Sequence, residues 1–154
     1  MSTDKTNGQP SPTAAVDAAS ARLPGRAVVA NLETQTFWDA TAEGAFLLPH
    51  CNACQTVIWY PRGHCPACSG TDLSWVAASG RGTVYSFSIT RSGAGAWKTA
   101  APYVLAYVEL DEGPRVLTNI VGCDPDDVRM TMPVQVVFEP PIEGTAIYRF
   151  RPVN

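Results

Sequence analysis

Four cysteines constrain this chain more than any other feature. Cys51-Asn-Ala-Cys54 and Cys65-Pro-Ala-Cys68 form two CxxC pairs separated by ten residues. Two residues between cysteines let one tight turn aim both thiolates at a single point. Two such knuckles then complete a tetrahedral site with metal–sulfur bonds of about 2.3 Å. Zinc is the expected occupant because it is tetrahedral and redox-inert; a single iron atom is the alternative for the same S4 set. Four thiolates fill the coordination sphere and leave no position for water or substrate, so the metal should staple the fold rather than catalyse. A module of about thirty residues has too little core to fold without such a staple. Two disulfides would require an oxidising compartment, and a redox-active CxxC fits two matched knuckles poorly. Residues 1–30 lack a cationic start followed by an apolar core, so no secretory signal is expected and a cytoplasmic location is. His50 and His64 immediately precede Cys51 and Cys65 and could replace a ligand, but four cysteines already satisfy a metal. Cys123 lies outside the array and reads as a small buried hydrophobe, with a reactive thiol as the alternative.

The rest of the chain divides by composition. Residues 1–30 are rich in Ala, Ser, Thr and Pro and hold no aromatic residue, which suits a mobile tail or an arm that orders on a partner. Within 31–45 a short helix is predicted over 33–44, with Phe37, Trp38 and Thr41 at helical spacing and Gly44 as its stop. Residues 46–78 form the cysteine module. From residue 79 to 154 the pattern becomes that of strands, predicted at 83–90, 103–110, 115–121, 134–139 and 145–150. In the first, Tyr85, Phe87 and Ile89 are placed on one face; in the second, Val104, Ala106, Val108 and Leu110 are. Asp111-Glu112-Gly113-Pro114 is a hairpin turn, and Asp124-Pro125-Asp126-Asp127 reads as a turn or one short helical turn. With 12 Gly and 13 Pro supplying the connections, five short strands over about seventy residues suggest a closed antiparallel barrel of the OB type. The fold class is therefore mainly β: a short N-terminal helix, a zinc ribbon and a C-terminal five-stranded OB-fold barrel.

No stretch approaches the roughly 18 apolar residues of a membrane helix. No GxSxG elbow, P-loop, GxGxxG after a strand, or HExxH helix is present, so no residue is nominated as catalytic. The glycine-rich segment 91–97 sits between strands and reads as a loop. Charge is more informative. Residues 58–100 carry Arg62, Arg81, Arg91 and Lys98 against Asp72, whereas residues 109–127 carry six acids against Arg115. That division points to a basic ribbon–barrel junction beside an acidic end. The junction would suit a phosphorylated ligand, with Trp97, Trp59 or Tyr60 available to stack on a base. Single-stranded nucleic acid is the competing ligand, because zinc ribbons and OB barrels both serve it and Tyr85 and Phe87 could stack. The net charge of −3 and the lack of a continuous basic stripe stand against it. A third reading, an enzyme acting alone on an acyl thioester through Cys123, has the least support.

The succession of Phe37-Trp38, CxxC, Tyr60-Pro61-Arg62, CPxC and Ser79-Gly80-Arg81-Gly82-Thr83-Val84-Tyr85-Ser86 resembles the DUF35 family. Val108-Glu109-Leu110-Asp111-Glu112-Gly113, Met132-Pro133-Val134 and Arg149-Phe150-Arg151-Pro152 extend the resemblance over about residues 35–152. Two positions depart from it: Gln55 stands where glycine commonly follows the first knuckle, and Thr131 where glycine usually precedes Met-Pro-Val. The resemblance implies a rubredoxin-like zinc ribbon joined to an OB-fold, with a structural Zn2+ on Cys51, Cys54, Cys65 and Cys68. It also implies an accessory protein that binds or channels acyl-CoA and completes a thiolase, a thiolase-like aldolase or a MaoC-type hydratase. Arg62, Arg81, Arg91, Trp97 and Lys98 are the expected CoA-binding residues, since CoA brings phosphates and an adenine.

Overall fold

The structure, a computed structural model, describes residues 23–153. Residues 1–22 of the arm expected over 1–30 lie outside the described residues. Residues 23–30 run along the barrel, where Val28 and Ala30 pack against the core and the main chain adds hydrogen bonds. The Val28 amide donates to Thr145 Oγ1, and the Pro24 carbonyl accepts from the Arg149 guanidinium.

Helix α1 (Gln35–Ala42) follows, two residues shorter at each end than its sequence pattern suggests. Asn31 Oδ1 accepts from the Glu33 and Thr34 amides ahead of it, so the orphan donors of the entry are already engaged. Glu33 is thereby left outside the helix, where its carboxylate accepts from the Gly63 amide at 2.7 Å and ties this entry to the ribbon. Gly44, at φ 76°, ends the helix as expected. The Ala45 amide reaches the Ala40 carbonyl and the Gly44 amide reaches that of Thr41, the paired bonds of a Schellman cap.

Strands β1 (Leu47–Cys51) and β2 (Leu73–Ala77) form the two-stranded ribbon. The barrel is built from β3 (Arg81–Thr90), β4 (Tyr103–Leu110), β5 (Arg115–Ile120), β6 (Pro133–Phe138) and β7 (Tyr148–Pro152). They close in the order β3-β4-β5-β7-β6, antiparallel except for β5 beside β7, which is the OB arrangement anticipated from the sequence. Val104, Ala106, Val108 and Leu110 face the interior as predicted. The face assignment in β3 is corrected. A bulge between Val84 and Ser86 shifts the alternation, so Val84 is buried, Tyr85 is exposed, and Phe87 and Ile89 return to the core. The last strand also begins later than predicted, because Thr145 exchanges backbone hydrogen bonds with Ile142 in a local turn instead of joining the ladder.

Helix, ribbon and barrel share one core. The Phe37 ring lies 5.0 Å from Trp38, 5.5 Å from Phe46, 5.4 Å from Trp59 and 5.8 Å from Tyr148, all nearly edge-on. Phe46, just before β1, continues the chain of contacts to Phe138 and Phe150 inside the barrel. Phe37 is fully buried, so Phe37→Ala removes a ring touched by all three parts. It should cost about 3–5 kcal/mol, and urea denaturation should show ribbon and barrel weakened together. Thr131 sits at φ 64°, which a β-branched residue tolerates badly. Thr131→Gly should therefore raise stability by up to about 1 kcal/mol, read as a higher denaturation midpoint.

Candidate functional site

The two knuckles are built alike. The Gln55 amide bonds the Cys51 carbonyl, and the Ser69 amide bonds that of Cys65, each at 2.8 Å. In return the Cys51 amide reaches the Thr56 carbonyl and the Cys65 amide that of Gly70. Each tight loop forces the residue directly after its CxxC into the left-handed region, with φ 64° at Gln55 and 61° at Ser69. That is the physical reason a glycine suits the position of Gln55. The matching demand at Ser69 has no signature in the sequence.

The loops bring the four sulfurs within 4.8 Å of one another. Cys51 and Cys68 Sγ are 3.6 Å apart, and Cys54 and Cys65 Sγ 3.5 Å. A tetrahedron with bonds of about 2.3 Å has edges of about 3.8 Å, so the observed spacing fits a metal and is far too long for disulfides. The electrostatics agree. The Thr56 hydroxyl and backbone hydrogen-bond the Cys54 sulfur and hold its pKa down to about 6. The Gly70 backbone pulls the Cys68 thiol down too, yet its neighbours Cys54 and Cys51 push it up to about 12. Thiolates crowded this closely repel one another and need a cation at their centre. His50 lies in β1 beside Val57, and His64 is exposed; neither belongs to the four-residue cluster. Cys51 and Cys65 are buried against Ile58 and Leu73, a core of very few side chains.

The five residues expected to meet CoA are not brought together. Arg81 and Arg91 stand at opposite ends of β3, roughly 30 Å apart along the strand. Arg62 lies in the ribbon, where its Nε donates to the Tyr60 carbonyl. Arg91, Trp97 and Lys98 share the β3–β4 loop, with the Trp97 ring 4.6 Å from that of Tyr103. The division into a basic junction and an acidic end also dissolves in space. Arg91 pairs with Asp126 at 2.5 Å and Arg81 approaches Asp111 at 4.0 Å, so cations of one segment meet acids of the other. Asp126 is held below the usual carboxylate range by that hydrogen bond to Arg91. Trp59 is absorbed in the aromatic junction, and Tyr60 Oη accepts from Trp38 Nε1 at 2.7 Å. Tyr85 and Phe87 point to opposite sides of the barrel wall and do not form a stacking pair. Burial, with Asp127 and Asp124 nearby, pushes the Cys123 thiol up, away from the thiolate a nucleophile needs.

A feature that the sequence pattern missed is a buried ion pair on the outer face of β6–β7. Arg149 Nε meets Glu139 Oε1 at 3.1 Å, and the same guanidinium bonds Asn119 Oδ1 and the Pro24 carbonyl. It fastens the arm to the barrel. No helix among the described residues is long and apolar enough to cross a membrane.

Cys51→Ala leaves three ligands and forfeits much of the roughly 10–16 kcal/mol that zinc supplies to small modules. The variant should lose its bound zinc, measured by elemental analysis, and the amide dispersion of residues 46–78 should collapse. Zinc content equal to wild type would contradict a four-thiolate staple.

Comparison with known proteins agrees with this architecture. The family model of the ChsH2 rubredoxin-like zinc ribbon domain matches residues 38–74, and that of the ChsH2 C-terminal OB-fold domain matches residues 75–139. A DUF35 domain-containing scaffold protein of Methanocaldococcus jannaschii is 37% identical over 111 residues, covering 68% of this chain and 79% of that protein. A probable enoyl-CoA hydratase alpha subunit of Thermomonospora curvata is 38% identical over 99 residues, covering 64% of this chain and 31% of the hydratase subunit. Benzoylsuccinyl-CoA thiolase subunit BbsA of Thauera aromatica is 33% identical over 88 residues, covering 53% of this chain and 59% of BbsA. Among solved structures, a chain of the Ltp2-ChsH2(DUF35) aldolase superposes with a TM-score of 0.73 at 32% identity, covering 82% of this chain and 98% of that one. With both modules matched in order, the four cysteines within the first, and a DUF35 relative covered over 79% of its length, the chain belongs to the DUF35 family.

Proposed function

We propose that this chain is a non-catalytic accessory subunit that assembles with a thiolase-superfamily enzyme, a thiolase or a thiolase-like aldolase, and helps it hold an acyl-CoA. The observation that carries the reading is the company its relatives keep. Proteins similar across ribbon and barrel are named as a scaffold, as a subunit of a CoA-thioester thiolase, and as part of an aldolase assembly. The hydratase alpha subunit makes a MaoC-type hydratase the lesser candidate for the partner. The chemistry of this chain supports a helper's role. Its metal ligands saturate a tetrahedral ion, and its remaining cysteine favours the protonated thiol.

The β3–β4 loop is the part of the barrel best suited to touch CoA. Trp97 offers an indole for the adenine, and Lys98 an exposed ammonium for a phosphate, within one turn of chain. Arg91 at the loop's start is engaged by Asp126, and Arg62 and Arg81 lie elsewhere. Single-stranded nucleic acid fits less well. Arg91, Arg115 and Arg149 are each paired with a carboxylate and so are not free to follow a phosphate backbone.

Co-expression with a thiolase-superfamily protein of the same organism should yield a complex that survives size-exclusion chromatography and turns over acyl-CoA faster than the partner alone. Trp97→Ala with Lys98→Glu should leave the complex intact and raise KM for acyl-CoA about tenfold, the loss of one stacking and one phosphate contact. A pair that neither co-purifies nor gains activity overturns the proposal.

A further inference from the structure

The barrel wall is apolar on one outer face. Leu105, Tyr107 and Leu117 are 42%, 46% and 44% exposed, on adjacent strands β4 and β5. Tyr107 stands directly across from Leu117 in the ladder, and Leu105 is two residues along the same strand face. The bulge in β3 adds Tyr85, exposed beside them rather than turned into the core. Large side chains at these positions do nothing for the interior, which is filled by Val104, Ala106, Val108 and Val116 from the opposite face. The outer face of β6–β7 is treated differently. There Val137, Glu139 and Arg149 are buried, and the main chain of the arm bonds to Arg149 and Thr145.

Two ion pairs flank the apolar face. Arg115 bonds Glu109 at 2.7 Å while its guanidinium lies 3.6 Å over the Tyr85 ring. At the far edge Arg91 is paired with Asp126. The surface therefore presents hydrocarbon and aromatic rings flanked by two ion pairs. Its complement is an apolar protein surface without net charge, not a phosphate backbone or an anionic membrane.

We infer that the β4–β5 outer face, centred on Tyr107 and Leu117, is the docking surface for the partner enzyme, whose contacting surface is apolar and uncharged. This rests on the accessory role proposed above and adds where the partner sits. Tyr107 and Leu117 are the anchors, and the Arg115–Glu109 pair forms the rim.

The test compares wild type with Tyr107→Glu/Leu117→Glu and with Trp75→Glu, a substitution at an exposed position of the ribbon strand β2. Each is co-expressed with the same thiolase-fold protein, and affinity is measured by biolayer interferometry. Zinc content and thermal unfolding of each variant should match wild type, because all three side chains lie on the surface. The expected result is at least a hundredfold loss of affinity for the double variant and a change under threefold for Trp75→Glu. Wild-type affinity in the double variant, with the wild-type complex intact, overturns the docking surface and leaves the accessory role standing. Loss of binding in Trp75→Glu alone moves the contact to the ribbon and overturns it too. A wild-type chain that binds no partner overturns both readings. Self-association, or oligonucleotide binding, that the double variant abolishes would give the face to a second copy or to nucleic acid and likewise refute the inference.

Discussion

Repulsion among four converging thiolates is the constraint on which the rest of the molecule depends. The knuckles place the sulfurs 3.5–3.6 Å apart in pairs, a spacing that is stable for thiolates only around a cation. The ribbon's own core is limited to Ile58 and partly buried Leu73 beside Cys51 and Cys65, so little else opposes its unfolding. The consequences reach beyond the ribbon. Phe46 leads into its first strand, and Trp59 and Tyr60 lie between its knuckles. These rings enclose Phe37 and meet Tyr148 of the barrel, so a metal-held ribbon also fixes the helix and one end of the barrel.

A second fastening works without metal. The Arg149–Glu139 pair is almost fully buried, a situation that is costly for isolated charges and tolerable only with their hydrogen bonds satisfied. Asn119 and the Pro24 carbonyl complete the guanidinium's set. Through it β5, β7 and the arm are locked together on one outer face. Among the described residues the barrel thus has one wall covered by its own chain and another left exposed.

The metal site was legible in the sequence because its chemistry depends on spacing alone: two cysteines in a tight loop, twice. The barrel was legible because turns and alternation sufficed to delimit most of its strands, with β4 matching residue for residue. What failed was anything set by contacts distant in sequence. The bulge at Tyr85 is imposed by pairing with the 131–132 backbone, where Thr131 donates to the Val84 carbonyl and Val84 to that of Met132. Strict alternation cannot anticipate such a slip. The apparent division of charge failed for the same reason, since Arg91 and Asp126 are far apart in the chain and adjacent in space. Gln55 and Thr131 were visible as departures from a glycine pattern, but only the positive φ at both explains why glycine belongs there.

These features bear on what the molecule can do. A catalytic centre keeps something unsatisfied: an open coordination position, a nucleophile near its pKa, a charge awaiting a partner. In this chain the metal's four ligands are all protein thiolates, the outlying thiol is pushed toward its neutral form, and Arg91, Arg115 and Arg149 are paired with carboxylates. The apolar surface of the β4–β5 wall is of another kind, suited to cover by a macromolecule more than by a small substrate. A stapled ribbon and a barrel with one bare wall suit a part that completes an assembly. The same reasoning explains why a protein so small keeps Tyr107 and Leu117 in water: their cost in solubility is offset only when something covers them.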